Sequence, residues 1–310
     1  IFFLKRLGKP VIIYGASFPT GSTQPYSMKG AFYRSLIKRA LAAVDLITVR
    51  EKDSYDYLQG LGVGRRAHLT GDLAFLVKPV GPERIAAILE REGLDGKTPM
   101  VGMTISRNMI KQAYPHIREY RAKEEKFIAE IAKVIDHITS TLGARVVFVP
   151  HSILKDEDRD DRIVAKKILK VVRNPVLVTA IEDEYSPEEL KGLTSLFEMC
   201  LGTRLHFIVD AVSTHVPSVI LSGKNDFRIN GIIGKGMGLP DSIYYIEDLD
   251  HRTLIETLES FWNRREEIRQ DIVVKMDKVL KETMLNGMIL KEFFDKLPKP
   301  DHSKSRDALG

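Results

Sequence analysis

Gly202-Thr203-Arg204-Leu205-His206 sets a guanidinium and an imidazole two residues apart, directly after an apolar run that ends in glycine. Such a junction reads as a strand passing into a helix, with Thr203 as the helix cap and Arg204 and His206 in the first turn. Unpaired N–H groups and the helix dipole at that point attract phosphate or carboxylate. Arginine grips such an anion bidentately, and histidine, which ordinarily titrates near neutral pH, gives up or takes a proton. Asp210 follows four residues after His206, on the same predicted helix face, and is expected to orient the imidazole. The plainer alternative is that Arg204 and His206 only bind carbonyls of the preceding strand.

Three more groups lie just past predicted strands: Ser106-Arg107-Asn108 after Met100 to Ile105, His151-Ser152 after Val146 to Val149, and Lys224 after Ser218 to Leu221. Parallel sheets bind ligands at the carboxyl ends of their strands, so Arg107, His151 and Arg204 are expected to open onto one crevice. Arg50-Glu51 also follows a strand, as a ligand contact or as an ion pair at a helix start. Asp72 is a contact or a turn former that bonds its own backbone. Other signals point away from chemistry. Gly60-Leu61-Gly62-Val63-Gly64 has dinucleotide-like spacing but closes a helix, where that motif must leave a strand and open one. The acidic residues from Asp156 to Asp161 read as an acidic first helical turn, and Cys200 as an inert core thiol.

The elements that must position these residues alternate between short apolar strands and helical segments. Strands are expected at Val11 to Tyr14, Leu46 to Val49 and Leu73 to Val77, with helices over Gly30 to Val44 and Glu51 to Leu61 and a loop from Pro19 to Pro25. A helix from Pro82 to Gly93 leads to a turn-rich junction at 93–97. A second series then runs from Met100 through Val146 to Val149, Val176 to Thr179, Glu198 to Gly202, Ser218 to Leu221 and Ile243 to Ile246, with helices between. Such alternation implies right-handed crossovers and mostly parallel sheets. The expected fold class is therefore α/β: an N-terminal Rossmann-like domain over 1–92 and a C-terminal one over 98–250. A nearly breaker-free helical segment over 251–297, able to lie back across both, and a polar tail over 298–310 complete the chain.

At 310 residues the chain exceeds what one core usually organises, and two domains imply a cleft between them. It is 44% hydrophobic and 29% charged, as in ordinary globular proteins, and no apolar run approaches the roughly 20 residues of a membrane helix. One cysteine excludes an internal disulfide and suits a reducing cytoplasm. The net charge of +5 comes without the long basic blocks of nucleic-acid tails, so the expected partner is an anionic small molecule and not nucleic acid.

Three stretches, in order, resemble the polysaccharide pyruvyl transferase family. The first is Asp45-Leu46-Ile47-Thr48-Val49-Arg50-Glu51 with Ser54, followed by Gly71-Asp72-Leu73-Ala74-Phe75-Leu76, with leucine at 73 where the family usually has proline. The second is Val149-Pro150-His151. The third, the most specific, is Leu201-Gly202-Thr203-Arg204-Leu205-His206, then Pro217-Ser218-Val219-Ile220 and Lys224. The resemblance implies a GT-B-like fold, two Rossmann-like domains facing a cleft. It also implies transfer of a pyruvyl group from phosphoenolpyruvate to saccharide hydroxyls, forming a ketal in exopolysaccharide biosynthesis.

By the same resemblance, Arg204, Arg107 and Lys224 hold the donor, with Gly202, Thr203, Ser106 and His151 beside them. His206 is the general acid, and Arg50 and Asp72 face a saccharide or glycolipid-linked acceptor. Phosphoenolpyruvate is then a co-substrate, with no cofactor and no metal. A glycine-rich loop usual in the family is expected upstream of Ile1. Two other readings stay open: a different GT-B enzyme, such as a nucleotide-sugar glycosyltransferase or epimerase, and a saccharide-binding module without turnover.

Overall fold

Two parallel sheets carry the chain in the computed structural model, which describes residues 1–19, 31–114, 117–154, 156 and 159–298. The expected loop from Pro19 to Pro25 falls, after its first residue, outside these, as do Glu157, Asp158 and the tail from 299. The first sheet has three strands in sequence order, β1 (Ile12–Ala16), β2 (Leu46–Val49) and β3 (Ala67–Leu69). The second has six, β4 (Met100–Thr104), β5 (Arg145–Phe148), β6 (Val178–Ala180), β7 (Met199–Gly202), β8 (Ser218–Ser222) and β9 (Ile243–Tyr245), in the order β6-β5-β4-β7-β8-β9. All pairings are parallel.

That order is doubly wound. The chain works outward from β4 in one direction and then from β7 in the other, so a crevice opens between the carboxyl ends of β4 and β7. Both strands are buried on both faces, which is why they read as continuous apolar runs. Glycine at 102 is a packing demand, since a Cβ there would lie 2.2 Å from the Phe197 ring. The helix Ile117–Ser140 covers this sheet through Ile131, Val134, Ile135 and Ile138, the i, i+3, i+4, i+7 spacing of one face. A smaller, separate core forms around Leu41, Val44, Ile47 and Leu58 beneath the first sheet.

Several boundaries differ from the sequence reading. Leu73 to Val77 is not a strand. Asp72 accepts the Ala74 N–H at 3.0 Å and starts a 3₁₀ turn, Leu73–Leu76, and the third strand is the short, half-polar Ala67–Leu69. Asn174 likewise caps a turn, Pro175–Leu177, and delays the strand expected at Val176 to residue 178. The helix Pro82–Arg91 buries Ile88 in the larger core, to which Phe75 and Leu94 also belong. The division between the cores therefore falls near Gly71 to Phe75, ahead of the junction expected at 93–97.

The C-terminal helical segment is two helices, His251–Asn263 and Arg265–Asp295. The longer one starts against the second sheet, where Arg265 pairs with Glu198 at 3.3 Å, and ends at the first, where buried Asn286 receives the Thr48 hydroxyl at 2.8 Å and donates to the Gly71 carbonyl at 2.9 Å. It spans both sheets.

Candidate active site at the domain cleft

The junction after β7 is built differently from a capped helix. Thr203 does not cap: its hydroxyl accepts the Ser106 N–H at 2.6 Å and donates to the Thr104 carbonyl at 3.4 Å, lacing the ends of β4 and β7 together. Arg204 itself occupies the cap position before the helix Leu205–Ser213, in extended backbone and with no side-chain cap. Its Nε and Nη2 reach Asp161 at 3.1 and 2.7 Å. Asp161 also accepts the backbone N–H groups of His151 and Ser152 at 3.1 and 3.0 Å. Burial pushes this carboxyl up, and the bonds from Arg204 and His151 oppose the rise. Asp161 thus ties Arg204 to the β5 loop; in sequence it had no signal beyond an acidic helix start.

His206 does not meet Asp210. It projects across the cleft, 55% exposed, and brings Nε2 to 3.6 Å from Asp72 and 3.3 Å from Arg50, both of the first domain. Arg50 donates to Asp72 at 2.6 Å and to the Ser17 hydroxyl at 2.7 Å. Burial alone would raise the Asp72 carboxyl, but the bond to His206, the Arg50 charge and the Ala74 N–H outweigh it and hold the group at about 2. Asp210 lies one turn further along the helix, buried, and faces His151 at 3.3 Å; the His151 ring stands edge-on to Phe207, centroids 5.1 Å apart. The i, i+4 spacing thus named the right carboxylate for the wrong imidazole. Glu51, next to Arg50, is buried, bonded to Ser17 and Ser54, and raised by its burial.

Arg50, Ser106, His151, Thr203, Arg204 and His206 line one cavity of 280 Å³ between the domains. Gly202, at the end of β7, must be bare, because a Cβ there would meet Thr104 and Phe207 at 2.6 and 2.8 Å. The Ser106 hydroxyl is buried with no hydrogen-bond partner among the described residues. A second cavity of 710 Å³ shares Arg50, Asp226 and Arg228 with the first and extends it past Ser17 and Phe227. Together they make a recess lined by three guanidinium groups, each paired with a carboxylate, opening onto a roomier trough.

Two expected donor contacts lie elsewhere. Arg107 turns from the cleft to Glu124, a nearly buried carboxylate that needs a cation, at 2.8 Å, and stacks over the Tyr120 ring at 5.5 Å. It lines a separate depression with Lys167 and Lys170. Lys224 points outward to Asp248 at 2.8 Å. The cation this loop supplies to the cavity is Arg228, braced by Asp226 at 2.9 Å. The sequence reading passed over Arg228, which sits beyond a further turn; its only signal was an Asp-Phe-Arg run at a helix start.

Residues 1–225 match the model of the family described as polysaccharide pyruvyl transferase. The amylovoran biosynthesis protein AmsJ of Erwinia amylovora is 20% identical over 278 residues, covering 88% of this chain and 63% of that protein. The chain thus spans less than two thirds of that relative's length. Among solved structures, a putative UDP-N-acetylglucosamine 2-epimerase from Listeria monocytogenes aligns over 96% of this chain and 72% of its own, at 12% identity and a TM-score of 0.58. A UDP-forming α,α-trehalose-phosphate synthase from Burkholderia xenovorans aligns over 94% and 70%, at 13% identity and a TM-score of 0.57. At such identities these likenesses establish the fold, GT-B, and leave chemistry to the site.

Proposed function

The chain belongs to the polysaccharide pyruvyl transferase family, and from that premise we propose that it moves a pyruvyl group from phosphoenolpyruvate onto two hydroxyls of a saccharide or glycolipid-linked acceptor, in the cytoplasm. The observation that carries this reading is the meeting of Arg204, Arg228, Arg50 and His206 around one cavity with an unpartnered buried hydroxyl, Ser106. Phosphoenolpyruvate carries a phosphate and a carboxylate, and each is matched by guanidinium groups already braced by carboxylates, so little ordering is lost on binding.

The reaction needs one proton at the donor's methylene carbon. His206, on the rim of the recess, supplies it, and Asp72, which stays ionised, faces the imidazole at 3.6 Å from across the cleft. C2 then takes the first acceptor oxygen, the C2–O bond to phosphate breaks, and the second hydroxyl closes the ketal. One hydroxyl proton restores what the methylene carbon took, and the other leaves with the phosphate. The transfer is redox-neutral and the donor brings its own leaving group, so the reading calls for no redox cofactor. The 710 Å³ trough with Phe227 on its wall is the acceptor side.

Incubation with phosphoenolpyruvate and candidate glycans, followed by mass spectrometry, tests this. A product heavier by one pyruvate less water, formed with stoichiometric phosphate release, is expected. Turnover of a uridine-diphosphate sugar with phosphoenolpyruvate ignored would overturn it.

A further inference from the structure

Lysine and arginine are not spread evenly. The first 44 residues hold seven of them and no aspartate or glutamate, which leaves 40 basic against 42 acidic residues in the other 266. The whole positive excess of the given sequence thus sits in residues 1–44.

The same stretch leaves large apolar side chains in solvent. Phe3, on the helix Phe2–Arg6, is 72% exposed, and Phe32, on the helix Ala31–Ala42, is 75% exposed; Phe2, Leu7 and Leu36 are exposed as well. The two helices make one surface, since the Arg39 guanidinium carbon lies 5.9 Å from the Phe2 ring centroid. Within Ala31–Ala42 the outward stripe runs Phe32, Leu36, Arg39 at i, i+4, i+7, while Leu41 and Ile37 turn into the smaller core. Arg34 and Lys38 are exposed beside the stripe. Of the cations here, Lys5 is engaged, with Asp45 at 2.7 Å.

Aromatic and leucine side chains interleaved with uncompensated cations match a surface that is apolar a few ångströms down and negative on top. A second copy of the chain fits poorly, because a two-fold contact would set this one-signed segment against itself. No helix among the described residues is long and apolar enough to cross a membrane. We propose that this face of the first domain seats peripherally on an anionic membrane surface, with Phe3, Phe32 and Leu36 among the headgroups and Arg34, Lys38 and Arg39 against lipid phosphates. The docking stands apart from the pyruvyl-transfer reading; only its use, bringing the cleft to a lipid-linked acceptor, rests on that reading.

The purified chain should co-sediment with vesicles rich in phosphatidylglycerol and far less with phosphatidylcholine alone. Binding should weaken with salt, as the screening length falls from about 10 Å at 0.1 M to 3 Å at 1 M. Each cation near the surface contributes roughly fivefold, so Arg34→Glu with Lys38→Glu should lose on the order of 25-fold or more. Phe3→Ser with Phe32→Ser should lower what binding survives at high salt. All four side chains are exposed, and unchanged melting would confirm that the variants fold. Turnover of a soluble saccharide should be the same in all of them, which separates this test from that of the reaction. Equal binding to both vesicle types, or variants that bind like the parent, would overturn the proposal. So would a dimer that the same substitutions dissociate in the absence of vesicle binding.

Discussion

Arg204 and His206 are two residues apart, yet each answers to a different domain: Asp161 braces the first within the larger sheet, and Asp72 meets the second across the cleft. Substitutions should separate the two roles. His206→Ala should lower turnover by roughly 10²–10⁴-fold, the usual worth of a positioned acid, with little change in melting because the side chain is half in solvent. A destabilised variant with intact turnover would end the general-acid role. Arg204→Ala should act on donor affinity, by about 10–100-fold in a direct binding titration. Asp161→Asn should weaken the donor in the same titration, since it releases the guanidinium without removing it. The Asp72 carboxyl is lowered to about 2, so its stabilisation is complete above the ordinary aspartate range and is lost as pH falls through about 2. Asp72→Asn should therefore cost about 2 kcal/mol at neutral pH and flatten the acid limb of stability in urea titrations; an unchanged limb would remove the coupling. Arg204, His206 and His151 were legible because each follows a strand end. Their carboxylate partners were not, for Asp161 and Asp72 lie 43 and 134 positions from the groups they serve, and no local spacing reports such a pairing.

At the scale of elements, strands buried on both faces announced themselves as unbroken apolar runs, and β4, β5, β7 and β8 were found close to their expected bounds. Errors gathered where a side chain caps a turn inside an apolar stretch, as Asp72 does before Leu73 and Asn174 before Val176. The role of Asn286 was also hidden, since a polar residue late in a long helix reads as surface. It is buried, and it receives both the Thr48 and Thr70 hydroxyls, at 2.8 and 3.0 Å. Asn286→Ala should take the donor from the Gly71 carbonyl and the acceptor from the Thr48 hydroxyl, while Thr70 keeps the Val49 carbonyl at 3.1 Å, and should cost about 1–3 kcal/mol per unsatisfied group that water fails to reach. Gly71→Ala should disturb the same seam sterically, because its Cβ would lie 2.2 Å from the Thr283 hydroxyl and 2.9 Å from the Thr283 backbone nitrogen, in a helix that cannot give way locally. Overpacking of this kind costs about 1–3 kcal/mol, and a wild-type denaturation midpoint for Gly71→Ala would show the helix to be loosely seated.

The two sheets are unequal partners in the whole molecule. Among the described residues the first buries eight apolar side chains in its own core, Leu41, Val44, Ile47, Val49, Leu58, Leu61, Val63 and Ala67, while the second gathers most of the rest. A core that small is marginal alone, so the first sheet depends on the helix Arg265–Asp295, which is anchored to Glu198 on the larger body and reaches over with Thr283 and Asn286. The same helix fixes how far Arg50 and Asp72 stand from His206, and so the reaction depends on it though it contributes nothing to the recess. Deleting residues 281–310 should split the calorimetric unfolding into two transitions, the smaller one at lower temperature. Donor binding should persist, because Ser106, His151, Arg204 and Arg228 all belong to the larger body. Turnover should fall well below that of the full chain, because the Asp72 partner of His206 is no longer held in place. A truncated chain that unfolds in one step with turnover intact would show that the sheets hold their register without the helix, and the domain-spanning view of the site would then fail.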